Sequence, residues 1–486
     1  MAIPNPFYRQ TPSTRTCWGY TFELTQEHLT KEQCEPLKFS YDILGEKVLD
    51  RLNEISPPLR KDLPRGSSRF SDSPKDENTF ISMEEKEVVG TATSATRDLY
   101  RILSEHRQHD DLLKHFWDEI TTVPPWVDWT QIERGQDVFY RYGGAVLTGL
   151  TYQSLLGGMG AARVVETLAR TGGFSTKVAR GRLFETTQHL LQCTKSLRSI
   201  QPGGEGFAST IRVRLLHAAV RQRILKLAST RPEYYDIQAW GVPINDLDSI
   251  GTIVTFSATL IWLSLPRQGI FLREQEIEDY VALWRYISFL VGCPEGYFNN
   301  PAQAKRMMEA LLLYEIHPTA TSKILANNVI KCLEGQPPGY ASADMLTASA
   351  RWLNGNDLCD ELGLLRPSAY YWVLMAGQCL FFCIFSYTYR AVPSWDRKKI
   401  NTLKRVFWEL IVNAKSGLKG KESTFDFKWV PEYSTITEMG EGEEEKGTVS
   451  YVERRNLKTF VSVVCVLGIG VLMTLRVTSG VLRSLF

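Results

Sequence analysis

One of the chain's seven histidines stands in chemically suggestive company. In RVRLLHAAVR, residues 212–221, helical spacing lines up Val213, Leu216, Val220 and Ile224 as an apolar stripe, and His217 falls inside it. Arg214 and Arg221, three residues before and four after, flank the imidazole on the same side. A histidine on an apolar face is most often a core residue whose hydrogen bonds are met inside the protein. The other chemistry open to it is ligation. A haem iron needs one strong protein ligand presented from a helix into an apolar slot, and arginines of that helix can pair with its two propionates. The spacing fits either reading.

Other chemistries lack their motifs. His106 and His109 lie in SEHRQHDD, among charges, and read as exposed. No HExxH, His-x-His or Glu-x-x-His occurs, and nine cysteines scattered from Cys17 to Cys465 include no CxxC pair, so side chains alone offer no metal site. No GxSxG elbow or Walker loop is present. LLGGMGAAR (155–163) loosely resembles a GxGxxG, but in a helical context. Serine hydrolase, NTPase and dinucleotide enzyme are all disfavoured.

The elements that must position these residues read as helices. A 486-residue chain with 43% hydrophobic content can bury one large core. Its formal charge of +2 supplies no field for nucleic acid. Dispersed, odd-numbered cysteines suit a reducing compartment, and MAIPNPFYRQ lacks the apolar core of a cleavable signal. Between 130 and 415, helical patterns follow one another, broken by TGGFS, QPGGEG, WGVPIND and GQPPGY; no sustained alternation calls for a sheet. The expected architecture is a single large all-α domain with flexible margins. An N-terminal extension (1–83), with a Pro/Ser-rich linker at 56–78, leads into the body (84–415), then a polar acidic linker (416–458) and an apolar segment (459–475).

That last segment, TFVSVVCVLGIGVLMTL, carries no charge and is flanked by Arg454, Arg455, Lys458 and Arg476. It is expected to be a C-terminal transmembrane anchor. A second charge-free run, 367–389, has Tyr370, Tyr371 and Trp372 at one end and Tyr387 and Tyr389 at the other. It reads equally as a second span, a central buried helix or a membrane-surface helix. If the tail alone spans, the body lies in the cytosol.

Five strings occur in order across roughly 123–292: PPWVDWTQIERGQDVFYRYGG, VVETLARTGGFSTKVARGRLFETTQHLL, RVRLLHAAVR, WGVPINDLDSIGTIVTFS and LWRYISFLVG. Together they resemble the catalytic domain shared by latex-clearing rubber oxygenase and the endoplasmic-reticulum-bound oxygenase of mycophenolic acid biosynthesis. The resemblance implies an all-α fold, a haem b, dioxygen as co-substrate and oxidative cleavage of a carbon–carbon double bond in an isoprenoid chain. It makes His217 the iron ligand and Glu166 in VVETLARTGG a base on the opposite side of the haem. Arg182 and Thr186 in RLFET become a distal pair, with Thr187 the alternative threonine. Arg214 and Arg221 as propionate partners rest on spacing alone. Two positions depart from the pattern. Glu185, or Thr186 in the register that makes Thr187 the distal threonine, stands where a lysine is expected in rubber-cleaving members, and Ala282 where some relatives place a histidine. The substrate is therefore expected to be some apolar unsaturated molecule, reached from an endoplasmic-reticulum membrane. The competing class is a non-catalytic, membrane-anchored haem- or lipid-binding helical protein.

Overall fold

The computed structural model of the chain describes residues 10–58, 97–425, 436–441 and 450–485. The Pro/Ser-rich linker at 56–78, the start of the expected body at 84–96 and much of the acidic linker fall wholly or largely outside the described residues. The architecture is all-α. Among the described residues the one departure is a hairpin, Thr14–Cys17 paired antiparallel with Tyr20–Glu23. Trp18 and Gly19 both take positive φ (51° and 73°), as a two-residue hairpin turn of this hand requires. Tryptophan is a rare residue in that place, so the sequence carries no Asn-Gly turn signal for this hairpin, which lies before the 130–415 stretch where no sheet is expected.

The helix that carries His217, Glu205–Thr230, is central. Phe207, Ile211, Leu215 and Ala218 on one side are almost fully buried in the main core. Val213, Leu216 and His217, one face further round, keep intermediate exposure despite lying mid-helix inside the protein. The stripe read from sequence is thus divided: Val220 and Ile224 are buried in a packed cluster, while Val213 and Leu216, beside His217, stay partly open.

Alongside runs Ala179–Thr194, joined to it by the short turn Leu197–Ile200. The two helices approach closest at Gly206, where an added Cβ would stand 2.5 Å from the Gln192 carbonyl oxygen. Cys193 Sγ lies 3.5 Å from Thr210 Oγ1 at the same crossing. Moving away from this crossing, the first helix runs back toward Arg182 and the second forward toward His217.

Residues 10–58 are part of the body rather than a loose extension. Asp42 caps helix Ile43–Ile55 by accepting from Gly45 N, and Val48 and Leu52 of that helix join the main core. Its cap Asp42 and its Glu46, together with Glu119 of helix Asp111–Thr121, face the His217 helix. Asp42 Oδ2 accepts from Arg214 Nε at 2.7 Å, Glu119 Oε1 from Arg214 Nη1 and Nη2 at 3.2 Å, and Glu46 Oε2 from Arg221 Nη1 at 3.3 Å.

The tail is one helix, Tyr451–Leu485. Its first turns are docked. Asn456 is fully buried and donates from Nδ2 to Gln378 Oε1 at 3.2 Å, Arg455 lies over the Phe381 ring at 4.3 Å, and Glu453 accepts from Ser342 N at 2.8 Å. The expected linker therefore ends before residue 458. From Val464 to Val477 the apolar side chains are open, Val466 being 69% exposed and Leu472 62%. Helix Ala369–Ala391, the second apolar run, buries Leu374, Met375, Gln378, Cys379 and Phe382 on one side and leaves Tyr370 and Ile384 exposed.

Candidate haem site around His217

His217 has an unusual environment for a core histidine. Neither ring nitrogen takes part in a hydrogen bond among the described residues, yet neither is sealed among the buried, unsatisfied polar atoms. Protein surrounds the ring, and burial, aided by the nearby Arg221 charge and opposed by Asp42, lowers its pKa to about 4. At neutral pH it is a neutral imidazole with a free lone pair facing space. Neutral imidazole is the form that ligates iron.

The two flanking arginines differ. Every nitrogen of Arg214 is engaged by Asp42 or Glu119, and its guanidinium sits over the Phe116 ring at 4.7 Å. Arg221 is 2% exposed, pairs with Glu46 and donates from Nη2 to the Ile244 carbonyl at 3.0 Å. Its Nε–H is buried without an acceptor. A buried, unpaired guanidinium donor one turn from a free imidazole is a place for an anionic group.

A second histidine belongs to this region. His189 lies on Ala179–Thr194, its Nδ1 2.9 Å from Ser209 Oγ on the His217 helix, with its ring edge-on to Phe425. Burial first, and the proximity of His217 second, lower its pKa to about 4. His189 follows Arg182 by seven residues and Thr186 by three, so the three share one helical face. That periodicity was readable in the sequence and was missed because no motif contains it.

The remaining expected site residues are placed as follows. Glu166 lies on Ala162–Arg170, buried, with Oε2 2.6 Å from Arg170 Nη1. Arg170 in turn donates to the Tyr234 carbonyl and stacks over Tyr235 at 5.2 Å. Arg182 pairs with Glu185 at 3.0 Å, and its Nε stands 3.5 Å from where a Cβ on Gly173 would lie. Gly172, at φ 68°, ends the Glu166 helix, so TGG both stops that helix and leaves room for Arg182. Thr186 is exposed, whereas Thr187 Oγ1 donates to the Leu183 carbonyl of its own helix at 2.8 Å. No direct contact joins Glu166, Arg182 and Thr186 to one another. Glu166 and Arg182 instead form two separate ion pairs, each with an opposite charge within its own helix.

Sequence reading also missed Asp248, in the WGVPINDLDSIG string. Burial raises its pKa to about 6 against the pull of Arg163, whose Nη1 is 3.0 Å away; Arg163 is shared with Glu315 at 2.8 Å.

Among the described residues, no three His, Cys, Asp or Glu side chains gather to hold a bare metal ion. A haem, which needs one, fits the residues present: a free neutral imidazole, an unpaired buried guanidinium N–H and the partly open side chains of Val213 and Leu216 beside the imidazole.

The sequence profile of the family described as ER-bound oxygenase mpaB/B'/Rubber oxygenase, catalytic domain, matches residues 140–381. The chain carries this family's catalytic domain. The matched stretch holds Glu166, Arg182, Thr186, His189 and His217, and stops short of the apolar tail. Among solved structures, latex clearing protein in its closed state matches with a TM-score of 0.53 at 15% identity, over 76% of this chain and 91% of that one. At that identity the likeness is one of fold. Among curated proteins, none matches the chain. As a bearer of the mpaB/rubber oxygenase domain, the protein is an oxidoreductase of the oxygenase type.

The two lowered histidines make a pH prediction for the ligand-free protein. An unfolded chain protonates both near pH 6.5, while the folded one resists until about pH 4. Their contribution to stability is complete above pH 6.5 and is lost as pH falls toward 4, at up to ~1.4 kcal/mol per pH unit for each ring. Urea midpoints measured from pH 7.5 to 4.5 should fall more steeply for wild type than for the His189→Phe/His217→Phe pair; parallel curves would remove both rings from the enclosed space.

Proposed function

We propose that the protein is a membrane-anchored, haem b-dependent oxygenase that uses dioxygen to cleave or oxidise a carbon–carbon double bond of an isoprenoid or other apolar unsaturated substrate. The observation that carries this reading is the enclosed, neutral, unbonded imidazole of His217 within an oxygenase catalytic domain. His217 would hold the iron and Arg221 Nε would receive a propionate. Arg214, saturated by Asp42 and Glu119, would hold the helix's outer side and reach a propionate only by exchanging a carboxylate partner. When bound, the haem supplies the redox chemistry that activates dioxygen.

The chain's own residues have separate tasks. Glu166 takes an allylic proton from the substrate. Its carboxylate is buried, and Arg170 orients it from one turn away, leaving the second oxygen for the substrate. Arg182 and Thr186, on one face of Ala179–Thr194, donate hydrogen bonds to negative charge that develops on oxygen. Thr186 is exposed in the ligand-free protein, so it acts beside the half-buried Arg182 only where bound haem and substrate cover that face and exclude water. Helix Ala179–Thr194 thus stands opposite the His217 helix, and their crossing at Gly206 fixes the separation at one end. Substrate and anchor agree in polarity: an apolar substrate partitions into the bilayer that the exposed apolar tail would enter. With only the tail inserted, the body faces the cytosol, and the endoplasmic reticulum is the membrane in the family's description.

The test is oxygen uptake. Detergent-solubilised, haem-loaded protein given squalene as probe should consume one dioxygen per double bond cleaved, with two carbonyl groups appearing for each. A protein that binds haem but consumes no oxygen with any isoprenoid supplied would be a binder or sensor, the reading that the Glu185 departure keeps in view.

A further inference from the structure

Among the described residues three helices are long and apolar enough to cross a bilayer; Asp246–Arg267 is mostly buried inside the protein, which leaves Ala369–Ala391 and the tail, and their mutual register decides between them. Ala369–Ala391 and the base of the tail pack side by side. An added Cβ on Gly377 would lie 2.1 Å from the Asn456 carbonyl oxygen and 3.2 Å from Phe460 Cβ, while Phe381, further along, faces Arg455. As one helix advances from 377 to 381, the other retreats from 460 to 455. The pair is antiparallel, and the glycine sets the point of closest approach.

That register offsets the two apolar stretches along the common axis. At a rise of about 1.5 Å per residue, Tyr370 lies about 10 Å from Gly377 in the direction the tail takes as it leaves the body. It is level with the first turns of the exposed apolar segment. Ile384 lies about 10 Å the other way, below Arg455. A slab that contains 459–475 takes in the start of Ala369–Ala391 and none of its second half.

The polar groups bear on this placement: Arg366, between Leu365 and Tyr370, is exposed and paired with Asp360, which limits that end to the depth of the headgroups. Arg455, Asn456 and Gln378 occupy the contact between the helices. At the far end of Ala369–Ala391, Arg390 donates to the Tyr142 hydroxyl at 2.6 Å and approaches Glu276 at 3.7 Å, and Arg141 beside it pairs with Asp396 at 2.7 Å. Centring that helix in hydrocarbon would drag this ionic cluster in with it, at a cost of several kcal/mol. At the near end stand Leu365, 73% exposed, and Tyr370, 48% exposed, with Tyr371 and Trp372 behind them. Aromatic residues with an apolar body and a polar tip favour the headgroup layer.

Building on the anchored reading above, we infer that the tail alone crosses the bilayer, and that the edge formed by Leu365, Tyr370 and Tyr371 is seated beside it at the boundary between headgroups and hydrocarbon. Because residues 451–460 are locked to the body, the tail is a rigid post, and the two contacts together hold the catalytic domain in one orientation on the lipid surface.

The experiment is hydroxyl-radical footprinting of the full chain in phosphatidylcholine nanodiscs, with each residue's oxidation rate normalised to its rate in the urea-unfolded chain. Tyr370 and Trp395 have similar exposure, 48% and 52%, so without lipid contact they would oxidise to similar normalised extents. The expected result is at least fivefold protection of Tyr370 with Trp395 left open. Protection of both would mean that Ala369–Ala391 enters the bilayer along its length, which overturns the inference. Both open, in protein that co-purifies with the discs, overturns the seated edge while leaving the anchor standing. Protein that never incorporates into discs overturns the anchor and the inference together.

Discussion

Glu166→Gln is expected to lower turnover by roughly 10²–10⁴-fold, the span over which a positioned general base contributes, while haem content stays at the wild-type level. Glutamine keeps the size of the side chain and can still accept a hydrogen bond from Arg170, so the 2.6 Å contact loses its charge but not its geometry. What disappears is the ability to hold a proton. The companion variant Arg170→Gln separates the two roles of the pair. If Glu166 served only as a structural counter-ion, removing either partner would leave a buried charge alone and both variants would lose stability alike, with little difference in turnover. If Glu166 is the base, Arg170→Gln keeps measurable turnover and Glu166→Gln does not. Full oxygen uptake by Glu166→Gln would show that the proton leaves by another route; buried Asp248 would then be the next residue to test.

His217→Gly should cost the protein both its haem and its activity, and added imidazole should restore part of each. The ring lies enclosed, with no hydrogen bond to replace and no partner to strand. Removing it therefore opens a cavity shaped for an imidazole without breaking a polar network. In that space a free imidazole can take the ligand's position, so partial recovery of haem binding distinguishes lost ligation from lost folding. A variant that folds, retains haem as tightly as wild type and ignores imidazole would place the iron ligand elsewhere, with His189 the other neutral ring in the same region.

The helical class was legible because period-3.6 patterns and Gly/Pro breaks run through most of the body, and Asp128, just before Trp129–Arg141, caps that helix by accepting from Thr130 N and Gln131 N. The site was legible where one helix carries it, as with His217 in its stripe. Where partners come from distant segments it was not. Arg214 and Arg221 sit on the same side as His217 in sequence spacing, but spacing cannot reveal that Asp42, Glu46 and Glu119 meet them from other helices. Composition likewise could not choose among the roles of 369–391. Apolar side chains look the same whether lipid or protein covers them, and the deciding facts are a glycine contact with Asn456 and an ionic cluster around Arg390. Glu166 and Arg182 each pair with a residue three or four places away, the distance at which a helix brings charges together.

The most direct measurement is an equilibrium titration of the full-length protein with haem, followed by the absorption of the haem Soret band, run side by side on wild type and His217→Ala. Wild type should saturate at one haem per chain with a sharpened, shifted band, and the variant should show only the broad absorption of unligated haem. No band in wild type, or the same band in both, would contradict the assignment of His217 as the iron ligand and the oxygenase mechanism built on it.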